Sequence, residues 1–254
     1  MRQFRAFLYF LSYLTRRSLL HLSIRNFYPS RDIVTKVISV GSSSMFRSGL
    51  AVVSAILLNS IAGSISDSVL AAVGVCNKVM MFPFSIILGF GTGFQPVAGF
   101  NYGAKRFDRV HESYRFCSKV AFLGALIMAI FVGVLADTFV ILFAGTDEEM
   151  RRIGVICMVS QCIALPIHAW VAIVNMLCAG LGNAKGALIL STSRQGTCFL
   201  PILYPLAWAF GAVGIAVVQA LADILSLVLA IPILRKTRKA VSEAESAWLA
   251  QQNP

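Results

Sequence analysis

Charged residues are scarce in this chain, and acidic residues are the scarcest of them. Asp, Glu, Lys and Arg make up 13% of the 254 residues, whereas soluble domains carry about 25%. Hydrophobic residues reach 57%, and 18 residues are Phe. This composition excludes an ordinary soluble domain. It also excludes a disordered chain, because so much apolar surface does not stay unpacked in water. The sequence therefore predicts an integral membrane protein.

Motifs of catalysis, metal binding and phosphate binding are also lacking. Gly89, Gly91 and Gly93 lie inside an apolar run, and the Lys-Ser/Thr pair of a phosphate loop does not follow them. The six cysteines lie in or beside apolar stretches, without the spacing of metal ligands or of a secreted disulfide framework. No Ser-His-Asp, HExxH or paired-carboxylate pattern occurs. We therefore predict no enzyme, no metal and no cofactor.

Basic residues outnumber acidic residues by 22 to 11, which gives a formal net charge of +11. A nucleic-acid-binding surface would place them in one stripe with interleaved aromatic residues. Here the basic residues cluster between the apolar runs instead. We therefore predict no nucleic-acid partner, and we assign these cations to the flanks of membrane spans.

Long runs without charge divide the chain into candidate membrane helices. A span needs about 20 mostly apolar residues, and uncharged runs occur at 48–66, 79–104, 153–184 and 195–222. Glycines and small polar residues further divide the sequence. The predicted helices lie at about 33–62, 68–100, 110–136, 149–180, 184–209 and 212–234. The predicted fold class is all-α, with six transmembrane helices.

The distribution of Lys and Arg predicts the orientation in the membrane. Residues 1–36, 101–119, 181–187 and 235–239 together carry seventeen of the 22 cations. The alternate loops carry few, and Arg151 and Arg152 lie there among acidic residues. Cytoplasmic loops carry the excess of Lys and Arg, so we predict a multi-pass protein of the cytoplasmic membrane with both termini inside.

Residues 1–32 do not fit a span of their own. The apolar run Phe4–Leu14 is only about eleven residues long, and no signal-peptide cleavage site follows it. Two interpretations stay open. The run is an interfacial amphipathic helix, or it is the end of a membrane helix that begins upstream of this chain.

Four ionisable side chains fall inside predicted spans, where a charge costs at least about 2.5–3.5 kcal/mol. Arg194 and Asp223 lie on the last helical hairpin, 17 and 12 residues from its turn near Gly211, so we predict an ion pair. The pair either fixes helix packing or serves coupling or gating. Arg47 and Lys78 have no carboxylate in these spans, so they face a wet cavity or pair with a partner. For Lys78 the alternative is a side chain that extends along the helix to the membrane surface.

Several uncharged polar residues and one histidine also lie on apolar helices. Such side chains hydrogen-bond between helices or line a cavity. Those that we single out are Asn59, Gln95, His168 and Asn175. His168 follows Pro166 by two residues, where a kink frees backbone carbonyls.

Three segments resemble the MATE multidrug efflux family. The first reads GFGTGFQPVAGFNYGAK from Gly89 to Lys105, with a helix that ends in Gln-Pro and an Asn-Tyr-Gly-Ala run before a basic loop. The second comprises AGLGNAK from Ala179 and SRQG from Ser193. The third runs from FGAVG at Phe210 to Asp223. Their order is similar to that of the family's C-terminal six-helix half, over about residues 33–234.

The resemblance implies one half of a twelve-helix antiporter that expels cationic or amphipathic drugs in exchange for H+ or Na+. It implies that residues 1–32 are the end of a preceding helix plus a basic linker, that 33–234 are the six-helix lobe and that 235–254 are a basic cytoplasmic tail. A second six-helix lobe is the implied partner, beside the bilayer and the small-molecule substrate. Asn59, Gln95, His168 and Asn175 are then expected to line the cavity.

This chain also departs from the family pattern, because its first helix carries Ser42 where a proline is usual and no carboxylate. The alternatives are a half-transporter, a flippase for lipids or polyprenols, whose anionic cargo suits Arg47 and Lys78, and a remnant that does not transport.

Overall fold

The computed structural model describes the backbone of residues 30–252 and the side chains of residues 30, 31, 34 and 48–250. The chain divides into two compact units, residues 1–45 and 46–254. The predicted segment 1–32, with its apolar run Phe4–Leu14, lies outside the described residues except at its last three. The predicted boundary at 32/33 stays a prediction. The predicted boundary at 234/235 also stays a prediction, and it falls inside a continuous helix.

Residues 30–252 form helices joined by short turns and contain no strand. The elements are α1 (Arg31–Ile65), α2 (Asp67–Gly103), α3 (Phe107–Val134), α4 (Ala136–Ala144), α5 (Glu148–Gly180), α6 (Ala184–Thr192), a π-helical segment (Ser193–Thr197) and α7 (Phe199–Gln252). Within the described residues, five helical stretches are long and apolar enough to cross a membrane: Ser48–Ile65, Asp67–Gly103, Phe107–Val134, Glu148–Gly180 and Ala184–Ala250. The all-α membrane fold predicted from the sequence is confirmed.

The last of these stretches folds back on itself at Gly211. Gly211 has φ +54° and ψ −128°, a conformation that a residue with a side chain rarely adopts. Across the reversal, Gly214 lies directly against the Leu206 carbonyl, and the Asn183 amide donates to the Thr237 hydroxyl at 3.1 Å. Residues 54 positions apart could not touch in one straight helix. The stretch therefore forms the hairpin predicted from 184–209 and 212–234.

Two features differ from the predicted helix boundaries. The loop between the predicted helices at 110–136 and 149–180 contains the nine-residue helix α4, whose sequence ADTFVILFA is mostly apolar. The predicted cytoplasmic tail continues α7 as far as Gln252. The tail packs on the rest of the chain, because Val241 is buried and the Arg238 guanidinium lies 5.0 Å from the Tyr114 ring centroid.

Helix α5 lies at the centre of the bundle. In the most apolar 18-residue stretch of α5, 61% of the residues are buried, whereas in the corresponding stretch of α1 17% are buried. Small residues bring α2 against α5, because a Cβ added at Gly180 would lie 2.7 Å from the Gln95 carbonyl oxygen. Such close backbone approaches are typical of helix packing in membranes.

Hydrogen bonds and an ion pair fix the end of the bundle where α5 begins. The Asp147 carboxylate accepts from the Met150 N–H at 2.9 Å and from the Ser68 hydroxyl at 2.6 Å. The bonds from Met150 and Ser68 lower the pKa of Asp147. The Arg151 guanidinium donates twice to Asp137 at 2.8 Å, which lowers the pKa of that carboxyl. Helices α2, α4 and α5 are thereby tied together.

Candidate functional site

Arg194 lies in a widened helical turn between α6 and α7. The Cys198 N–H donates to the Ser193 carbonyl at 2.9 Å, five residues back instead of the four of an α-helix. The Ser54 hydroxyl on α1 donates to the backbone carbonyl of Gln195 in the same turn. Turns of this kind are frequent at functional sites, and this one is where the chain introduces a guanidinium into its membrane-spanning part.

Arg194 forms an ion pair with Asp223 on α7. The Arg194 Nε and Asp223 Oδ1 atoms lie 2.9 Å apart, although they are not aligned for a hydrogen bond. The Asp223 side chain is only 3% exposed and the Arg194 side chain 19%. A buried charge needs a partner of opposite sign, and each of these two residues supplies it for the other.

His168 on α5 joins this pair through both nitrogens of its ring. Its Nδ1 lies 3.6 Å from Asp223 Oδ1, and its Nε2 lies 3.4 Å from an Arg194 Nη1. Pro166 lies one half-turn earlier, and a proline removes a backbone hydrogen bond from its helix. The imidazole therefore sits between a fixed positive and a fixed negative charge.

An aromatic ring from α2 completes the cluster. The Arg194 guanidinium carbon lies 4.0 Å from the Phe84 ring centroid, within the range of a cation–π contact. The rings of Phe84 and His168 meet edge to face, with centroids 5.1 Å apart and an interplanar angle of 80°. We call Phe84, His168, Arg194 and Asp223 the buried charge cluster. It draws on α2, α5, the π-helical segment and α7.

The buried charge cluster opens onto a cavity of about 190 Å³. Asn175 lies in the cavity wall, and its Oδ1 is buried with no hydrogen-bond partner in the described part of the chain. The remaining lining residues carry no charge: Ile87, Leu88, Val171, Ala172, Met176, Leu190, Ser191, Gln195 and Ser226. With a neutral imidazole, the net charge of this wall is therefore zero.

A second cavity of about 310 Å³ adjoins the first. Its polar lining includes Asn77, Gln161 and Gln219, and it shares Phe84, Leu88, Arg194 and Gln195 with the first. The contact between Arg194 and Phe84 thus forms part of the wall between the two cavities. A change in that contact would change the connection between them.

The structure brings four of the polar residues singled out from the sequence together and places two others elsewhere. His168, Asn175, Arg194 and Asp223 meet at one cavity. Asn59 instead lies exposed on α1, and Gln95 is half-buried at the contact of α2 with α5. Neither lines the two cavities described.

Of the two remaining predicted cations, Lys78 does not line either of the two cavities. Lys78 is exposed on the surface of α2, and it forms no ion pair with the described residues. The side chain of Arg47 lies outside the described residues, so its predicted environment stays a prediction.

Sequence reasoning missed Phe84 and the link from His168 to the ion pair. Pro83 and Pro166 lie inside the two helices that carry these residues, and they were the available signal. A proline indicates a local irregularity in its own helix but does not reveal which neighbouring helix packs there. The two prolines alone therefore do not predict that α2 and α5 contact the hairpin.

The chain matches a known family model and is similar to known proteins. The sequence model of the family described as MatE matches residues 44–208. The chain is 21% identical to the multidrug export protein MepA of Staphylococcus haemolyticus over 210 residues, which cover 82% of the chain and 46% of the relative. It is 22% identical to MepA of Staphylococcus aureus strain MW2, over 83% of the chain and 46% of the relative.

Solved structures show the same fold. A MATE structure in the bent conformation superposes with a TM-score of 0.82 and 19% identity, over 94% of this chain and 54% of that chain. A mutant of the Vibrio cholerae MATE transporter VcmN gives a TM-score of 0.78 and 18% identity, over 89% and 51%. The chain spans about half the length of the curated relatives and structures that it matches.

Proposed function

This chain belongs to the MatE family, and from that premise we propose that it supplies the C-terminal six-helix half of a secondary antiporter in the cytoplasmic membrane. The substrate class is cationic or amphipathic compounds, and the exchanged ion is H+ or Na+. The partner is a second six-helix lobe, supplied by the same protein or by another chain. The protein is a transporter and not an enzyme.

The observation that carries the proposal is the buried charge cluster beside its cavity. Ionisable residues within membrane spans are costly, and they mark ion and substrate paths. Here a carboxylate, a guanidinium and an imidazole meet within 3.6 Å of each other. The similar relatives are named multidrug export proteins, which supports the export of drugs as the function.

The charges of the cluster explain how a proton and a cationic substrate could be exchanged. Arg194 and Asp223 cancel, so the wall is neutral while His168 is neutral. Histidine is the side chain whose charge changes most readily near neutral pH. A proton on His168 gives the wall a net charge of +1, and this charge repels a cationic substrate. Proton and substrate therefore exclude each other, as antiport requires.

The ion pair also provides a candidate moving part. Arg194 contacts Asp223 on one side and Phe84 on the other, and it lies in the wall between the two cavities. Discontinuous helices at the bilayer midplane serve alternating access in transporters. We propose that release of Arg194 from Asp223 accompanies the rocking of this half against its partner lobe.

Efflux of a cationic dye from cells that lack their own pumps tests the proposal. The chain is expressed alone and with a candidate N-terminal lobe, and its abundance in the membrane is measured in each case. We expect efflux only with both halves. Asp223→Asn should reduce it at least about tenfold, because the variant removes the charge that balances Arg194. The matched control Glu243→Gln changes an exposed carboxylate and should keep wild-type efflux.

Three results would contradict the proposal. Efflux from the chain alone would indicate a half-transporter. Wild-type efflux in Asp223→Asn would remove the cluster from the transport path. No efflux with either arrangement, together with movement of anionic lipid between the leaflets of reconstituted vesicles, would indicate a flippase.

A further inference from the structure

A basic groove lies on the outer surface, away from the buried charge cluster. It has a volume of about 1040 Å³ and runs between the end of α2 and the first three turns of α3. Its lining from α2 consists of Val97 and Asn101. Its lining from the α2–α3 loop and α3 consists of Arg106, Asp108, Arg109, His111, Glu112, Ser113, Arg115, Phe116 and Lys119. We refer to this surface as the basic groove.

The charge of the basic groove is positive and incompletely balanced. Arg109 pairs with Glu112 at 3.8 Å, an exposed contact within α3. Apart from this pair, the lining contains one carboxylate, Asp108, and three cations. The cations are Arg106, Arg115 and Lys119. Arg115 and Lys119 form no ion pair with any residue that the structure describes, and both are exposed. The groove thus offers free cations one helical turn apart.

An apolar surface continues the basic groove along α3. Phe116 is 64% exposed between Arg115 and Lys119, and the exposed residues Leu123 and Ile127 follow at helical spacing. Beyond Lys119, residues 120–135 contain no charged residue. Charge at one end and a long apolar face beyond it match the shape of an amphiphile that lies along the helix.

We propose that the basic groove binds the phosphate headgroup of an anionic phospholipid, with an acyl chain along Phe116 and Leu123. Basic pockets at the ends of membrane helices recognise anionic headgroups, and each Lys or Arg near such a surface adds to the attraction. Arg115 and Lys119 bind the phosphate, and the orientation predicted from the loops places it in the cytoplasmic leaflet. This binding is separate from transport through the buried charge cluster.

Lipid binding to the purified full chain in mild detergent, with its partner lobe where one is required, tests the proposal. Native mass spectrometry measures the binding of phosphatidylglycerol and of phosphatidylcholine with the same acyl chains. The double variant Arg115→Gln/Lys119→Gln should weaken phosphatidylglycerol binding at least about tenfold and leave phosphatidylcholine binding unchanged.

The matched control is the double variant Arg235→Gln/Lys236→Gln. It removes the same two charges from exposed positions on the same end of the bundle, outside the groove. We expect this variant to keep wild-type selectivity for phosphatidylglycerol. An equal loss in both double variants would show diffuse attraction to basic loops and would overturn the proposal.

Competition on the unsubstituted protein provides a second test that requires no variant to fold. Inorganic phosphate and glycerol 3-phosphate carry the headgroup chemistry without acyl chains. Because the apolar face contributes to lipid binding, millimolar amounts should not displace phosphatidylglycerol. Displacement by either compound would identify a site for a soluble phosphate and would overturn the assignment to a lipid.

Discussion

Asp223 carries the one carboxylate in the wall of the cavity beside Arg194. Its position therefore decides whether a guanidinium is tolerated in this part of the chain. Both side chains are mostly buried, and taking two ions from water costs several kcal/mol that their attraction offsets only in a close arrangement. The ion pair offsets the cost of burying the charge of Arg194, but it adds little net stability to the fold.

A test at the residue scale follows from this balance. Asp223→Asn leaves the Arg194 guanidinium without a carboxylate and should lower the free energy of unfolding by roughly 3–5 kcal/mol. The double variant Asp223→Asn/Arg194→Gln should recover part of that loss, because no charge is left unpaired. Thermal unfolding of the purified protein in detergent measures both.

Asp137→Asn serves as the control, because it breaks a carboxylate–guanidinium pair whose side chains are about half exposed. Exposed pairs contribute little, so its effect should be small. A double variant that is less stable than Asp223→Asn alone would contradict this account.

At the scale of helices, α2 and α5 pack closely because glycine residues at their contact have no side chains. Gly180 presents its Cα to the Gln95 carbonyl, and a Cβ added at Gly99 would lie 2.9 Å from the Gly180 carbonyl oxygen. Backbone atoms cannot yield as the end of a flexible side chain can. These two glycines therefore set the distance between the two helices that carry Phe84 and His168.

The corresponding prediction concerns Gly180→Ala. The added methyl group forces α2 and α5 apart, which we expect to cost about 1–3 kcal/mol of unfolding free energy and to reduce dye efflux. The matched variant is Gly93→Ala on α2, where an added Cβ meets nothing within 4 Å. It should be neutral or stabilise by up to about 1 kcal/mol. Equal stability of the two variants, measured by thermal unfolding, would contradict the role given to this contact.

At the scale of the whole molecule, the helix ends separate two surfaces of different charge. Lys105, Arg106, Lys185 and Arg235 lie at the ends where α2, the hairpin and the tail meet. The opposite end carries Asp137, Asp147 and the start of α5. Since Lys and Arg are retained on the cytoplasmic side, the first of these surfaces is expected to face the cytoplasm.

Labelling of engineered cysteines tests that orientation. A membrane-impermeant maleimide should label Ser64→Cys in intact cells, because this exposed residue lies at the α1–α2 turn. It should label Lys185→Cys only after the membrane is made permeable. The unsubstituted chain gives the background, and five of its six cysteines are buried. Labelling of Lys185→Cys alone in intact cells would invert the predicted topology.

The helical spans follow from sequence because hydropathy is a local sum. Each span is a run of about 20 apolar residues, and neighbouring residues in the sequence decide it. The pair of Arg194 and Asp223 also follows from local information, because a tight turn at Gly211 fixes the register of the two helices of the hairpin. The predicted helices at 68–100, 110–136 and 149–180 therefore agree closely with α2, α3 and α5. The short helix α4 and the extension of α7 to Gln252 were not predicted.

The tertiary structure alone decided which polar side chains share the cavity. His168 and Phe84 belong to α5 and α2, which no short turn connects to the hairpin. Their contact with Arg194 depends on the rotation of each helix about its axis and on the close packing at Gly99 and Gly180. Hydropathy does not fix that rotation for a helix surrounded by apolar neighbours, and packing between the helices does.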